Sequence, residues 1–205
     1  GSLAGDYKVF EGLAKQKNVI LVDNYTELFD ICTILASMPA NAMKGKKLGV
    51  ISISGSGCVL ASDFSEKYGL ELPEISPQLK KEAAEIFPDW APIHNPIDTW
   101  VAIEQVGDIY CYNYLLGKYL ESGEYDAIIM ATISSSFARF DFDFINTMQE
   151  NFPEIPIVLH CFGGYLYEKY QSKASKFGIP LINNFESIFR HLSKIYRVSR
   201  KNTAS

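Results

Sequence analysis

The sequence predicts an α/β domain built on an open parallel sheet, and three observations carry that expectation. From Leu48 onward, short apolar runs rich in β-branched residues alternate with longer stretches of helical spacing. The connections between them are short, which calls for parallel strands with helices on both faces. The clearest unit, Leu48–Ala61, passes from an apolar run through Ser54-Gly55-Ser56-Gly57 directly into a helical pattern.

Taken in order, residues 3–16 carry helical spacing through Leu3, Tyr7, Phe10, Leu13 and Ala14, and Val19–Val22 reads as a strand. Asp23 or Asn24 is placed to cap a helix from Tyr25 to about Ser37. Residues 39–46 are small, polar and proline-containing, and read as a linker. Leu48–Ile53 suits a buried strand and is too short for a helix; Cys58–Tyr68 is helical. A strand at Leu70–Leu72, a helix over Gln78–Phe87 and a loop over Asp89–Trp100 follow. Then come a helix over Ile103–Leu120, a strand at Ala127–Thr132, a helix over Phe142–Asn151 and a strand at Ile157–His160. A helix over Gly164–Phe177, a strand at Pro180–Ile182, a helix over Phe185–Arg197 and a polar tail at 199–205 complete the chain. Five strands in this alternation fit a flavodoxin-like, doubly wound sheet of order 2-1-3-4-5 over residues 47–198.

An internal repeat sets the domain organisation. Asn18-Val-Ile-Leu-Val-Asp-Asn-Tyr-Thr-Glu-Leu-Phe29 resembles Gly178-Ile-Pro-Leu-Ile-Asn-Asn-Phe-Glu-Ser-Ile-Phe189 at an offset of 160 residues. Apolar positions coincide, both expected strands end in an Asx-Asn pair, and a helix follows each without a gap. Residues 1–38 therefore read as the terminal helix-strand-helix of a second domain of the same class. The chain opens at Gly1-Ser2 without a methionine, as a tag scar or a cut inside a longer polypeptide would leave it.

A net charge of -5 and a pI near 5.3 argue against a nucleic-acid partner. No apolar run reaches the roughly 18 residues of a membrane span, and no signal-peptide pattern opens the chain. Cys32, Cys58, Cys111 and Cys161 lack metal-ligand spacing, so four reduced thiols in a cytoplasmic protein are expected, with no metal site.

The turn at Ser54–Cys58 is the candidate anion site. The first N–H groups of a helix have no internal partners and carry partial positive charge, so strand, glycine-rich turn and helix together present donors to a phosphate or carboxylate. Gly55 and Gly57 allow the close approach. The competing reading is a tight turn with no ligand.

Four motifs, quoted as they stand, resemble the NDP-forming acyl-CoA synthetases, relatives of succinyl-CoA synthetase. Ser54-Gly55-Ser56-Gly57 lies where that family has a Gly-Gly-Pro-Gly or Asn-Gly-Ala-Gly turn before a helix. His94-Asn95-Pro96-Ile97-Asp98 resembles its Asn-Pro-Val-Asp motif, and Phe162-Gly163-Gly164 its Gly-Gly turn at another helix start. Gly1-Ser2-Leu3-Ala4-Gly5 is similar to the segment that follows the family's phosphorylated histidine, which would then precede Gly1. The resemblance implies the C-terminal part of the alpha-subunit region of an acid–CoA ligase. In that family, acyl-CoA and phosphate give an acyl phosphate, a histidine takes the phosphoryl group, and an ATP-grasp unit passes it to ADP, reversibly. It further implies CoA, ADP/ATP or GDP/GTP, phosphate and Mg for the parent enzyme, with no tightly bound cofactor here. The implied partners are a CoA-binding Rossmann domain and an ATP-grasp domain or subunit, with a homo-oligomer also possible. Ser54, Gly55, Ser56, Gly57 and Cys58 would hold the phosphate; Asn95, Asp98, Gly163 and Gly164 would support the substrate loops. Without the histidine, the chain alone should not turn over.

Two other functions compete: a flavodoxin-like nucleotide- or flavin-binding module, and a non-catalytic docking module. Against the first, Leu60 replaces the third glycine of a dinucleotide fingerprint. His94 reads as exposed, His160 as a core residue bonded to backbone, and His191 as a surface residue of the last helix. Cys58 at a helix start invites a lowered thiol pKa but reads better as a packing residue. Tyr110, Tyr112, Tyr114, Phe137, Phe140, Phe142 and Phe144 read as core and rim, and Asp141 with Asp143 as a solvated helix start.

Overall fold

The computed structural model describes residues 6–39, 43–133, 139–164 and 167–202. Gly1–Gly5, residues 40–42 of the linker, Phe137 and residues 203–205 lie outside the described residues. In chain order the elements are α1 (Tyr7–Gln16), α2 (Tyr25–Ala36), β1 (Leu48–Ser52), α3 (Gly55–Tyr68), α4 (Pro77–Ala83), β2 (Ile97–Asp98) and α5 (Trp100–Val106). They continue with α6 (Asp108–Ser122), β3 (Ala127–Ile133), α7 (Phe142–Asn151), β4 (Ile157–Phe162), α8 (Tyr167–Phe177) and α9 (Phe185–Asn202). No helix among the described residues is long and apolar enough to cross a membrane.

The sheet is parallel throughout, in the order β2-β1-β3-β4. Its strands are buried on both faces, which explains their continuous apolar runs. Side chains alternate along each strand. Ile51, Ile53, Ile128, Met130, Ile157 and Leu159 enter one core with residues of α4 to α8. Leu48, Val50, Ala127, Ile129, Ala131 and Val158 enter the other, against α2, α3 and α9.

The expected edge strands are only partly formed. Leu70–Leu72 contributes a single parallel bridge, Lys47 to Glu71, and Pro180–Ile182 another, Leu159 to Leu181. The position beside β1 is completed by Ile97–Asp98, a stretch expected to be loop. Between these two patches, the Asn95 side chain stands in for a strand. Its Oδ1 accepts from Val50 N–H at 2.9 Å, and its Nδ2 donates to the Leu48 carbonyl at 2.8 Å and the Pro73 carbonyl at 3.1 Å. The expected single helix from Ile103 to Leu120 is two helices, broken at Gly107, whose φ of 84° suits glycine. The tail from 199 begins as the last turn of α9.

The repeat reaches further in three dimensions than in the letters. Asn18 and Gly178 both have left-handed φ, at 56° and 68°. Val19 N–H donates to the Ala14 carbonyl and Ile179 N–H to the Ala174 carbonyl, each at 2.9 Å. Asn24 accepts from Glu27 N–H as Asn184 accepts from Ser187 N–H. The copies differ in pairing: among the described residues Val19–Val22 has no strand neighbour and is not a strand, while Leu181 bridges Leu159. Burial follows, with Phe10 57% exposed and its counterpart Tyr170 5%.

Helices α2 and α9 meet over a buried charged cluster. Glu27 Oε2 accepts from Asp23 N–H at 2.6 Å, and Oε1 lies 2.8 Å from Lys194 Nζ and 3.3 Å from Arg190 Nε. Burial raises the Glu27 pKa, but the Lys194 ammonium and the Asp23 N–H outweigh it, and the carboxyl is held below its ordinary value. His191, expected at the surface, is fully buried because it lies on the α9 face that covers α2. Neither of its ring nitrogens has a hydrogen-bond partner among the described residues; Glu27 Oε1 is 3.7 Å from Nε2 and Asp30 Oδ2 is 3.9 Å from Nδ1.

Two predictions follow from these contacts. Burial pushes the His191 pKa down to about 4, against an ordinary value of 6.5. The unfolded chain therefore binds the extra proton first, and stability should fall as pH drops from about 6.5 to about 4, by on the order of 3 kcal/mol. Urea denaturation across that range should show the decline, and His191→Leu should flatten it. Asn95→Ala leaves Val50 N–H and the Leu48 carbonyl without these partners, and should lower the urea midpoint by the equivalent of about 2–3 kcal/mol.

Candidate functional site

Strand β1 ends where the sheet order reverses, with β2 on one side and β3 on the other, and α3 starts immediately beyond it. In open α/β sheets this switch point is the usual ligand crevice. Ser54 caps α3: its backbone is extended, and its Oγ accepts from Gly57 N–H at 3.2 Å. Cys58 N–H donates to the Ser54 carbonyl at 3.1 Å. Ser54 N–H in turn donates to Ser52 Oγ at 3.3 Å, so three of the expected backbone donors are already used. The N–H groups of Gly55 and Ser56 have no protein acceptor among the described residues, and both residues are exposed. The Ser54 and Ser56 hydroxyls lie 3.1 Å apart beside them.

The two glycines have different jobs. Gly57 is buried, and a Cβ there would stand 2.3 Å from Ser52 Oγ and 3.4 Å from Phe162 Cε2. It lets α3 press onto the end of β1, so a valine there would disturb packing as well as any ligand. Gly55 faces outward, where a Cβ would lie 3.2 Å from Asp98 Oδ2. Asp98 Oδ1 accepts from Trp100 N–H at 3.1 Å, and Thr99 ties the same loop to β1 by donating N–H and Oγ1 to the Ser52 carbonyl at 2.8 and 3.1 Å.

Ser54–Cys58 and Asp98 thus come together. Gly163, with φ of 89°, and Gly164 follow β4 at the same carboxyl edge, and Phe162 just before them leans on Gly57. Asn95 does not join them: both N–H bonds of its amide go to the Leu48 and Pro73 carbonyls, so no donor remains for an anion. Burial and the nearby Asp98 push the Cys58 thiol up to about 12, which overrides the lowering expected at a helix start. His160 is buried with Nδ1 bonded to the Ile182 carbonyl at 2.9 Å, and burial lowers its pKa. No group of three or more His, Cys, Asp or Glu side chains among the described residues is arranged to hold a metal ion.

Sequence reasoning overlooked the wall beside this turn. Ile53, Ser54, Gly55, Trp90, Pro92, Asp98, Trp100 and Val101 line a cleft of about 320 Å³. The available signal was that both tryptophans of the chain fall in the single stretch from Asp89 to Trp100.

No family model matches the chain. Among known proteins it is 31% identical over 142 residues to acetate–CoA ligase [ADP-forming] II of Archaeoglobus fulgidus, covering 69% of this chain and 21% of that one. It is 26% identical over 194 residues to the acetate–CoA ligase [ADP-forming] II subunit alpha of Pyrococcus furiosus, covering 92% of this chain and 41% of that one. Among solved structures, the dinucleotide forming acetyl-coenzyme A synthetase 1 of Ca. Korarchaeum cryptofilum in complex with phosphate and ADP superposes with a TM-score of 0.79 at 19% identity. That match covers 100% of this chain and 45% of that one, and shows a shared fold. The chain spans less than half the length of each of these relatives. It is a homologue of part of the ADP-forming acetyl-CoA synthetases, as its resemblance to the NDP-forming acyl-CoA synthetases implied.

Proposed function

We propose that this chain is part of an NDP-forming acid–CoA ligase and that the start of α3 holds a phosphoryl group during its transfer. The observation that carries this reading is the pair of open N–H groups at Gly55 and Ser56, at the switch point of a parallel sheet. Oriented backbone donors suit this task. They stabilise a dianionic phosphoryl group without a titratable side chain that could attack or protonate it. The phosphoryl carrier is a histidine presented from elsewhere in the intact enzyme, and the acyl phosphate, CoA and nucleotide meet it there in turn. Asp98 sits against the same turn but spends Oδ1 on the Trp100 N–H, so its part is to shape the loop and not to contact phosphate.

Residues 6–38 are read as the closing helix, extended segment and helix of a neighbouring domain. The exposed apolar face of α1, with Tyr7, Phe10 and Leu13, supports this, since the matching face of α8 buries Tyr170 and Ala174 against a sheet. Partners of this chain are then a CoA-binding domain and an ATP-grasp domain or subunit, with Mg accompanying the nucleotide, in the cytoplasm.

A single substitution separates the anion-binding reading from a bare packing turn. Ser56→Asp places a carboxylate in the first turn of α3, where the dipole favours it by about 0.3–1 kcal/mol. The thermal midpoint should hold or rise, while inorganic phosphate titrated by ³¹P NMR should lose at least tenfold in affinity. Unchanged phosphate affinity, or no phosphate binding by the parent chain, would overturn the reading.

A further inference from the structure

One glycine of α6 has no reason within this chain to be glycine. Gly117 lies in the helix interior, where glycine costs about 1 kcal/mol against alanine. Its φ is not positive, and a Cβ there would meet no atom of the described residues within 4 Å outside the local helix backbone. The missing side chain leaves a hollow on the outer face of α6. The same face carries a knob. Tyr110 is 56% exposed and stacks on Tyr114, with ring centroids 5.9 Å apart. Together with Ile109, Asn113 and Phe144 of α7, the two tyrosines line an open groove of about 490 Å³. Helical spacing sets Tyr110, Tyr114, Gly117 and Glu121 on one stripe, with knob and hollow seven residues, or roughly 10 Å, apart.

We propose that this stripe docks a second copy of the chain, the two α6 helices packing antiparallel about a two-fold axis near Tyr114. Tyr110 of each copy then enters the hollow over Gly117 of the other, and the Tyr114 rings meet at the axis. A two-fold contact requires such self-complementarity, and an unrelated partner would not need knob and hollow on one helix. The charges at the two ends of α6 agree. The Glu121 side chain is 61% exposed at the C-terminal end, and the Arg139 side chain is 55% exposed beside Asp108 at the N-terminal end. Antiparallel alignment brings each Glu121 toward the end that carries the other copy's Arg139, whereas a parallel pair would set like charges together. Helix α6 belongs to the core on the sheet face opposite α3, so the contact leaves the α3 turn open and stands independently of the ligase reading. One helix and its flanks bury less than the roughly 1,200 Å² of a standard interface, so association in the micromolar range is expected.

Sedimentation equilibrium of the 205-residue chain, over concentrations that bracket the micromolar range, tests this. The mass should rise with concentration from 23.0 kDa toward twice that value. Gly117→Arg fills the hollow where the single chain has open space, and it should weaken association at least tenfold. The thermal midpoint of the dilute variant should hold or rise, because a better helix former replaces glycine. Tyr110→Ser removes the knob and should weaken association comparably, with the far-ultraviolet circular dichroism unchanged. Added salt should loosen the parent dimer more than the Glu121→Gln dimer, which has already lost the charge. A single 23.0 kDa species at every concentration overturns the proposal, as does a dimer that both Gly117→Arg and Tyr110→Ser leave intact. A dimer abolished by Phe10→Asp on the exposed face of α1, but not by the α6 variants, places the contact on the N-terminal unit and overturns it equally.

Discussion

Strand β1 is central to the sheet but has only one long neighbour among the described residues, and much of the structure is arranged around that fact. On the β3 side its hydrogen bonds form a regular ladder. On the other side they are satisfied piecemeal: the Glu71 carbonyl takes Leu48 N–H, the Asn95 amide takes Val50 N–H and the Leu48 carbonyl, Ile97 and Asp98 pair with Ile51 and Ser52, and Thr99 closes on the Ser52 carbonyl. Buried backbone groups left unpaired are expensive, so each patch is needed. Residues 71–99 must therefore return to β1 repeatedly, and this holds Asp98 and the two tryptophans beside the start of α3. The geometry of the candidate site is thus a by-product of completing a sheet edge.

A second constraint binds the N-terminal unit to the rest. Helix α2 reaches the core through Ile31 and Ile34, which pack in the same cluster as Ile188, Phe189 and Leu192 of α9. Glu27 serves two ends at once: its Oε2 takes the Asp23 N–H beside the α2 cap, and its Oε1 faces Lys194 and Arg190 across the interface. Such a buried carboxylate is retained only with its cations in place, because removing one partner would leave an unpaired charge. His191 occupies the same buried seam without a hydrogen bond, which makes this contact responsive to acid where an apolar residue would not be.

The sheet was legible in the sequence because parallel strands buried on both faces announce themselves as apolar runs, as Leu48–Ser52, Ala127–Ile133 and Ile157–Phe162 do. The edges were not, since a side-chain amide replacing a strand leaves no periodic trace, and Ile97–Asp98 is two residues long. Val19–Val22 shows the opposite failure: its β-branched pattern is that of a strand, but a strand exists only with a neighbour to bond. At the site, Ser54–Gly57 was visible as a turn. That Ser54 spends the Gly57 N–H, and that Asn95 serves the fold, depends on distances between segments far apart in the chain.

Capping and anion binding draw on the same donors, and the turn divides them. A serine at the cap satisfies one orphan N–H of α3 through its side chain, and Ser52 Oγ accepts the N–H of Ser54 itself at 3.3 Å, so the helix start is stable without a ligand. The two donors that remain, at Gly55 and Ser56, belong to adjacent residues and face solvent with the helix dipole behind them. Gly57 is what allows this division, because only a residue without a side chain lets α3 begin so close to Ser52. A turn richer in glycine would leave its donors to be ordered by the ligand. Here the serine orders them beforehand, so binding an anion requires little further loss of backbone freedom.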